Sequence, residues 1–339
     1  MIPSQLTEQA PVPARGMAES GTVANTGEPV ASQAVTRTWT TGDGVRLQAA
    51  VVGSGLEDPT GLLPLPDGRI LVAERGGRVR VFRDGILLPA PAVTLDDVAV
   101  GDGRGLLAIA SGHDFATTGH VFAVYTTADG LRVARLTERG DTLVDHAVLL
   151  EGLPVAAAWP AALLRSGPDG RLYVALDDGG DAERVADMGS YSGKVLRLQT
   201  DGTTPADHPG RSPVWSVGVG HPVGLAWSAD GTTLRLVGET TAPETSPLDS
   251  RPGVARFTLP REFGATSVIV SGPSLHDSLL VASASERGIL RVWFAGADAP
   301  GGSEWLVRDL PGPVTALASA ADGSIYVTIG PTLLRVAVE

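Results

Sequence analysis

Cysteine is absent from the chain, and lysine occurs once, as Lys194. Without thiols there is no disulfide, no thiolate nucleophile and no cysteine-type zinc site, and the redox compartment stays open. Acidic residues outnumber basic ones by 38 to 26, for a net charge of −12 and an isoelectric point near 4.9. That balance, with no basic stripe, argues against a nucleic-acid partner. No stretch of 18 apolar residues occurs, so no membrane span is expected. Aromatic residues make up only 5%. Nucleophile-elbow, zincin, Walker and dinucleotide-binding motifs are all missing. Four of the six histidines, His120, His146, His208 and His276, are scattered without metal-ligand spacing.

What is abundant is glycine (43) and proline (25), as many short strands joined by tight turns require. Residues 1 to 36 are rich in Pro, Ala, Ser, Thr, Gly and Glu without periodicity, and read as a disordered leader or linker. They also lack the basic start and apolar core of an intact signal peptide. Residues 37–339 read as one β-rich domain. Within it a unit recurs: a short apolar strand, an aspartate with or without glycine, then a second β-rich strand. The stretch from Leu163 to Asp181 is its template, turning at Asp169-Gly170. Other copies turn at Asp67-Gly68, Asp114, Asp230-Gly231, Asp277 and Asp322-Gly323. Gly supplies the positive φ that such turns demand.

Successive turn aspartates lie 45–61 residues apart, about one four-stranded propeller blade each. Third strands follow most turns, at residues 78–82, 194–198, 289–293 and 333–337. The spacing predicts an all-β, six-bladed β-propeller. The early strand Val45–Val52 is the natural partner to close the ring against the C-terminus, which leaves no open sheet edge. A β-sandwich is the lesser alternative.

Five stretches carry a family resemblance: P-D-G-R-I-L-V-A-E-R-G-G-R-V (66–79), G-L-L-A-I-A-S-G-H-D-F (105–115), G-P-D-G-R-L-Y-V-A-L-D-D (167–178), S-G-K-V-L-R-L-Q-T-D-G-T-T-P-A-D-H-P (192–209) and V-W-S-V-G-V-G-H-P-V-G-L-A-W (214–227). In order and wording, the chain from Leu56 to Val338 resembles the soluble quinoprotein glucose/sorbosone dehydrogenases. These are six-bladed propellers that use pyrroloquinoline quinone (PQQ) and calcium to oxidise aldose sugars. The resemblance implies an extracellular or periplasmic home. It also implies a histidine base ten residues before the third turn aspartate, where this chain has Trp159. An indole N–H is a donor only and cannot take a proton.

Other implied cofactor positions differ as well. The family's glutamine falls on Gly103, its Arg-Asn pair on Gly220-His221, and its late arginine pair on Pro313 and Thr315. Its late lysine has no counterpart, because Lys194 belongs to the strand signature. Its calcium-and-quinone loop reads E-T-T-A-P-E-T-S-P-L-D here, with Glu239 and Pro243 as remnants. PQQ is a tricarboxylate, and each lost charge-assisted hydrogen bond is worth about 1.5–3 kcal/mol. PQQ and Ca²⁺ are thus implied by the resemblance alone.

Polar and aromatic residues stand where the axial mouth is expected: Asp102, Arg104, Trp159, His221, Glu239, Glu286 and Arg287. Trp159 suits stacking on a sugar ring, against the ordinary role of packing. His221 is the candidate base or metal ligand, against the ordinary role of a loop histidine. Asp177, Asp178 and Glu239 are the weak metal candidates, because hard oxygen donors suit calcium while turn-capping explains them equally. Three functional readings stand. The first is a divergent propeller that binds a small polyhydroxylated ligand at the mouth, with the PQQ site lost or rebuilt. The second is a PQQ-dependent oxidoreductase acting on the CH–OH group of aldoses. The third is a protein-interaction platform.

Overall fold

A computed structural model describes residues 37–218, 220–240, 253–295 and 300–338. The leader expected over residues 1–36, and Pro243, lie outside the described residues. The described chain is a six-bladed β-propeller. Its innermost strands are Pro59–Pro64, Leu106–Ser111, Ala162–Ser166, His221–Trp227, Ala265–Val270 and Val314–Ser319. They neighbour one another in chain order around the ring, the last against the first.

The Asp-Gly pairs earn their place through backbone geometry. Gly68, Gly170, Gly231 and Gly323 hold φ of 88°, 73°, 70° and 81°, where a Cβ is strained. Each glycine N–H returns to the carbonyl three residues earlier. The preceding aspartate then accepts the N–H two residues on, at 2.9–3.1 Å in all four turns. The other two copies solve the turn differently. Asp114 leads into a short helix, Phe115–Thr118. In the fifth blade His276 and Asp277 themselves take φ of 54° and 52°.

Closure follows the expected route. Arg46–Ser54 pairs antiparallel with Thr332–Val338, and Arg37–Thr40 adds outside it. One blade departs from the antiparallel pattern. In the fourth, among the described residues, there are three strands, and Val254–Pro260 runs parallel to Leu234–Thr240. A parallel neighbour needs a returning connection rather than a hairpin, and residues 241–252, between them, lie outside the described set.

The core is divided into six apolar clusters, one per seam between blades. Strand periodicity explains the division. In Ile70–Glu74, Leu71 and Ala73 join the seam to the second blade, while Ile70 and Val72 join the seam to the sixth. Both faces are covered, so central strands are continuously apolar rather than alternating. Hydroxyls on the innermost strands tie neighbouring blades together: Thr60 to the Leu106 carbonyl (2.8 Å), Ser166 to Ser111 (2.5 Å), Thr266 to Val314 (2.7 Å) and Ser319 to Val270 (2.9 Å).

Candidate functional site

The six innermost strands all run in one direction, so the ring has two chemically distinct ends. The aspartate turns lie at the ends of these strands. Asp102, Arg104, Trp159 and His221 lie at or just before their starts. Glu239 lies near the end of a second strand, Asp177 and Asp178 follow another, and Glu286-Arg287 lies in a second-to-third-strand turn, which brings them to that same end. The structure does not gather them into one cluster. It divides them into three groups.

The first group is a cleft of about 690 Å³ walled by Glu57, Asp58, Arg75, Arg78, Asp102 and Trp159. Trp159 forms the side nearest the third blade. Its backbone N–H donates to the Asp102 carbonyl at 2.6 Å, and its φ of 51° is a rare conformation for a bulky residue. The indole lies against Gly103, where an added Cβ would fall 2.5 Å from the ring. Only glycine fits beneath it. The side chain is nonetheless 66% exposed, so the outward part of the ring meets solvent.

Both guanidinium groups of the cleft are already engaged. Arg75 bonds Asp58 at 2.7 Å and the Gly103 carbonyl at 2.6 Å. Arg78 bonds Glu57 and the buried Glu74, each at 2.7 Å. The cleft is therefore polar, braced and close to charge balance, with a slight acidic excess. Sequence reasoning missed Glu57, Asp58, Arg75 and Arg78. The E-R-G-G-R text that carries two of them was read as scaffold.

The second group joins the third and fourth blades. His221 opens its strand directly opposite Glu239. Burial, followed by the positive charge of Arg261, holds His221 below its ordinary pKa, against the opposing pull of Asp178. Burial pushes Glu239 up, offset by the Ala265 N–H and by Arg261. Asp177 is also pushed up by burial, while its oxygens accept the N–H groups of Ala161 (2.7 Å) and Gly179 (2.9 Å). Asp178 accepts from Gly180 at 2.8 Å, and Glu239 from Ala265 at 3.1 Å. These carboxylates are organised by loop backbone. Among the described residues, no three His, Asp or Glu side chains converge as a metal set.

The third group is Glu286 and Arg287, beside the sixth blade. Glu286 pairs with Arg308 at 2.8 Å, and the Arg287 carbonyl accepts the Leu310 N–H at 3.0 Å. Arg104 donates to the Thr127 carbonyl at 3.1 Å and is not a wall of the cleft. Lys194, fully buried, donates to the carbonyls of Arg184, Val185 and Ser192 and so anchors its own loop.

A slightly larger cleft of about 740 Å³ opens elsewhere, lined by residues that include Asp43, Asp230, His276, Arg291 and Glu304. Its groups largely satisfy one another. Arg291 is clasped by Asp43 and Glu304, and Asp230 by Ser228 and Thr232. The Trp159 cleft, with its exposed ring, is the better candidate.

A family model described as glucose/sorbosone dehydrogenase matches residues 56–239. The chain belongs to the glucose/sorbosone dehydrogenase family. Aldose sugar dehydrogenase YliI of Escherichia coli K12 is 28% identical over 203 residues, covering 55% of this chain and 54% of that one. Human Hedgehog-interacting protein is 31% identical over 177 residues, covering 44% of this chain and 25% of that one. The PQQ-bound aldose sugar dehydrogenase of Streptomyces coelicolor superposes with a TM-score of 0.73 at 22% identity, covering 86% of this chain and 98% of that one. That likeness speaks to the fold. The chain spans about half the length of the E. coli relative and a quarter of the human one.

Tested against the family's cofactor, the described residues do not fit. A tricarboxylate needs cations that are not already neutralised, and three arginines at the mouth, Arg75, Arg78 and Arg308, are bound to Asp58, Glu57 and Glu286. The positions that the resemblance assigns to cofactor contacts hold Gly103, Gly220, His221, Pro313 and Thr315 instead. Thr315 turns its hydroxyl to Thr328 at 2.8 Å.

Proposed function

We propose that this glucose/sorbosone dehydrogenase homologue is a divergent, ligand-binding member whose inherited PQQ site is lost or rebuilt. Its ligand is a small, neutral, polyhydroxylated molecule held at the mouth, in the cleft beside Trp159. One observation carries the reading: an exposed indole, seated on a glycine that nothing larger could replace, beside carboxylates and guanidinium groups already braced by one another. Aromatic rings stack on the C–H faces of sugars, and fixed polar side chains then read the hydroxyl groups. The near-balanced charge favours a neutral polyol over a trianion.

The test is a thermal-shift screen of aldoses and polyols on wild type and Trp159→Ala, because a ligand that binds the native state raises Tm. A hit that vanishes in the variant supports the cleft; an unchanged hit profile removes Trp159 from the site. A parallel titration with PQQ and Ca²⁺, followed by absorbance and by sugar-dependent dye reduction, addresses the oxidoreductase reading suggested by the name of the E. coli relative. Saturable binding with turnover would replace the present proposal. A protein-interaction role has a specific observation in its favour, the 31% identity to a protein named for interacting with Hedgehog. The exposed large apolar side chains argue the other way. Of Ile86, Val100, Val148, Trp159 and Met188, Val100 and Trp159 line the cleft, and Ile86, Val148 and Met188 do not.

A further inference from the structure

Three carboxylates line the Trp159 cleft, those of Glu57, Asp58 and Asp102, and two of them are spent. Glu57 is held by Arg78 and Asp58 by Arg75, each at 2.7 Å. Among the described residues, no hydrogen-bond donor or cation reaches the side chain of Asp102. Its own loop does not use it either. In the four Asp-Gly turns the aspartate accepts the N–H two residues on, whereas here the N–H of Arg104 goes to the Gly101 carbonyl at 2.9 Å.

The backbone at Asp102 has φ of 50°, between two glycines at 113° and 77°. Aspartate enters this region more readily than most residues, yet glycine enters it at no steric cost. For the loop alone a third glycine would serve as well. What the aspartate adds is an exposed carboxylate at a fixed place beside the ring. The Asp102 carbonyl accepts the Trp159 N–H at 2.6 Å, and the next residue, Gly103, lies under the indole. A free acceptor pair and a stacking surface are thus tied together on the walls of one cleft.

An ionised carboxylate only accepts hydrogen bonds, and its two oxygens take a pair of parallel donors, as they do from a guanidinium fork. On a neutral polyol the matching donor pair is two hydroxyls on adjacent carbons. Resting on the sugar-binding reading of this cleft, we propose that Asp102 is its specificity-determining residue. The carboxylate accepts from a vicinal pair of hydroxyls on a pyranose whose C–H face lies on Trp159. The ring then supplies affinity for sugars at large, and Asp102 selects those that present an adjacent diol beside the stacked face.

Asp102→Asn is the informative variant, because asparagine shares the tolerance for positive φ and keeps the carbonyl that holds Trp159. The full chain is titrated calorimetrically with D-glucose, D-galactose and D-mannose, then with the 2-, 3- and 4-deoxy analogues of the tightest binder. Asp102→Asn should melt like wild type and bind that sugar about tenfold more weakly. In wild type, an analogue lacking a hydroxyl of the gripped pair should also lose about tenfold, and in Asp102→Asn that loss should shrink to about twofold. Undiminished affinity in Asp102→Asn overturns the proposal, and so do deoxy losses that are equal in the two proteins. Sugar binding that Trp159→Ala abolishes and Asp102→Asn leaves intact removes Asp102 while keeping the cleft. If none of the three sugars binds wild type, or if Trp159→Ala leaves binding unchanged, the reading of the cleft falls and the role of Asp102 falls with it.

Discussion

The two ends of this propeller were built under different constraints. At the turn end, four blades repeat one device: aspartate capping a glycine in the left-handed region. At the mouth end no two blades agree. The second blade offers Gly103 beneath a ring from the third, the third a backbone-clasped Asp177, the fourth the His221–Glu239 pair, and the fifth Glu286. A turn must be satisfied in every blade for the strands to register, so its chemistry repeats. A mouth residue has no such duty to the blade that carries it, and it is free to vary with the ligand.

If that contrast is right, changes at the turn end should cost stability and leave the ligand untouched, and changes at the mouth should cost ligand affinity. The largest effect expected is for Asp169→Ala. Asp169 caps its turn and also accepts from Arg197 Nε (2.9 Å) and Tyr173 (3.0 Å), so its loss should cost about 2–3 kcal/mol in urea unfolding. Affinity for any sugar hit should not change. A variant that lost binding without losing stability would break the division.

Gly103→Ala tests the mouth from below. The added methyl meets the Trp159 ring and occupies a residue at φ 77°. A cost of about 1–2 kcal/mol follows, together with about a tenfold loss of sugar affinity as the indole is pushed aside. Trp159→Gly sharpens the comparison. It relieves the backbone strain at φ 51° while removing the ring contact, so stability should stay within about 1 kcal/mol of wild type. Sugar affinity should again fall about tenfold, roughly 1.4 kcal/mol. Calorimetric titration beside thermal melting separates the two quantities.

The smallest effect is in pH. His221 has a folded-state pKa below its ordinary 6.5. As pH falls through 6.5 the unfolded chain therefore takes up a proton that the folded one refuses, and stability declines until the folded pKa is reached. Glu239 acts oppositely lower down: its raised pKa adds stability below 4.5 that is lost as pH rises through its folded value. His221→Gln should flatten the stability profile just below pH 6.5 and leave the acid limb in place. An unchanged slope in that window would mean that burial does not hold His221 neutral.

Much of the scaffold was legible because its determinants are local. Asp-Gly pairs at blade-length intervals dictate where strands reverse. Closure by the early strand followed from the need to leave no sheet edge. The fourth blade was not legible in this way: a D-G turn at Asp230-Gly231 reads like the others, and nothing nearby announces that Val254–Pro260 will pair in parallel. The mouth was half legible. Its residues were identified as a set by where the family resemblance puts the axial mouth, but not how they would group.

The amino-acid sequence alone determined the six-bladed ring, its closure and its family, because each rests on contacts within a blade or on wording along the chain. Only the tertiary structure decided that Trp159 sits on Gly103, more than fifty residues earlier, and that Arg75 and Arg78 are spent on Asp58, Glu57 and Glu74. Whether a charge is compensated depends on what the neighbouring blade presents, and spacing along one strand does not carry that information.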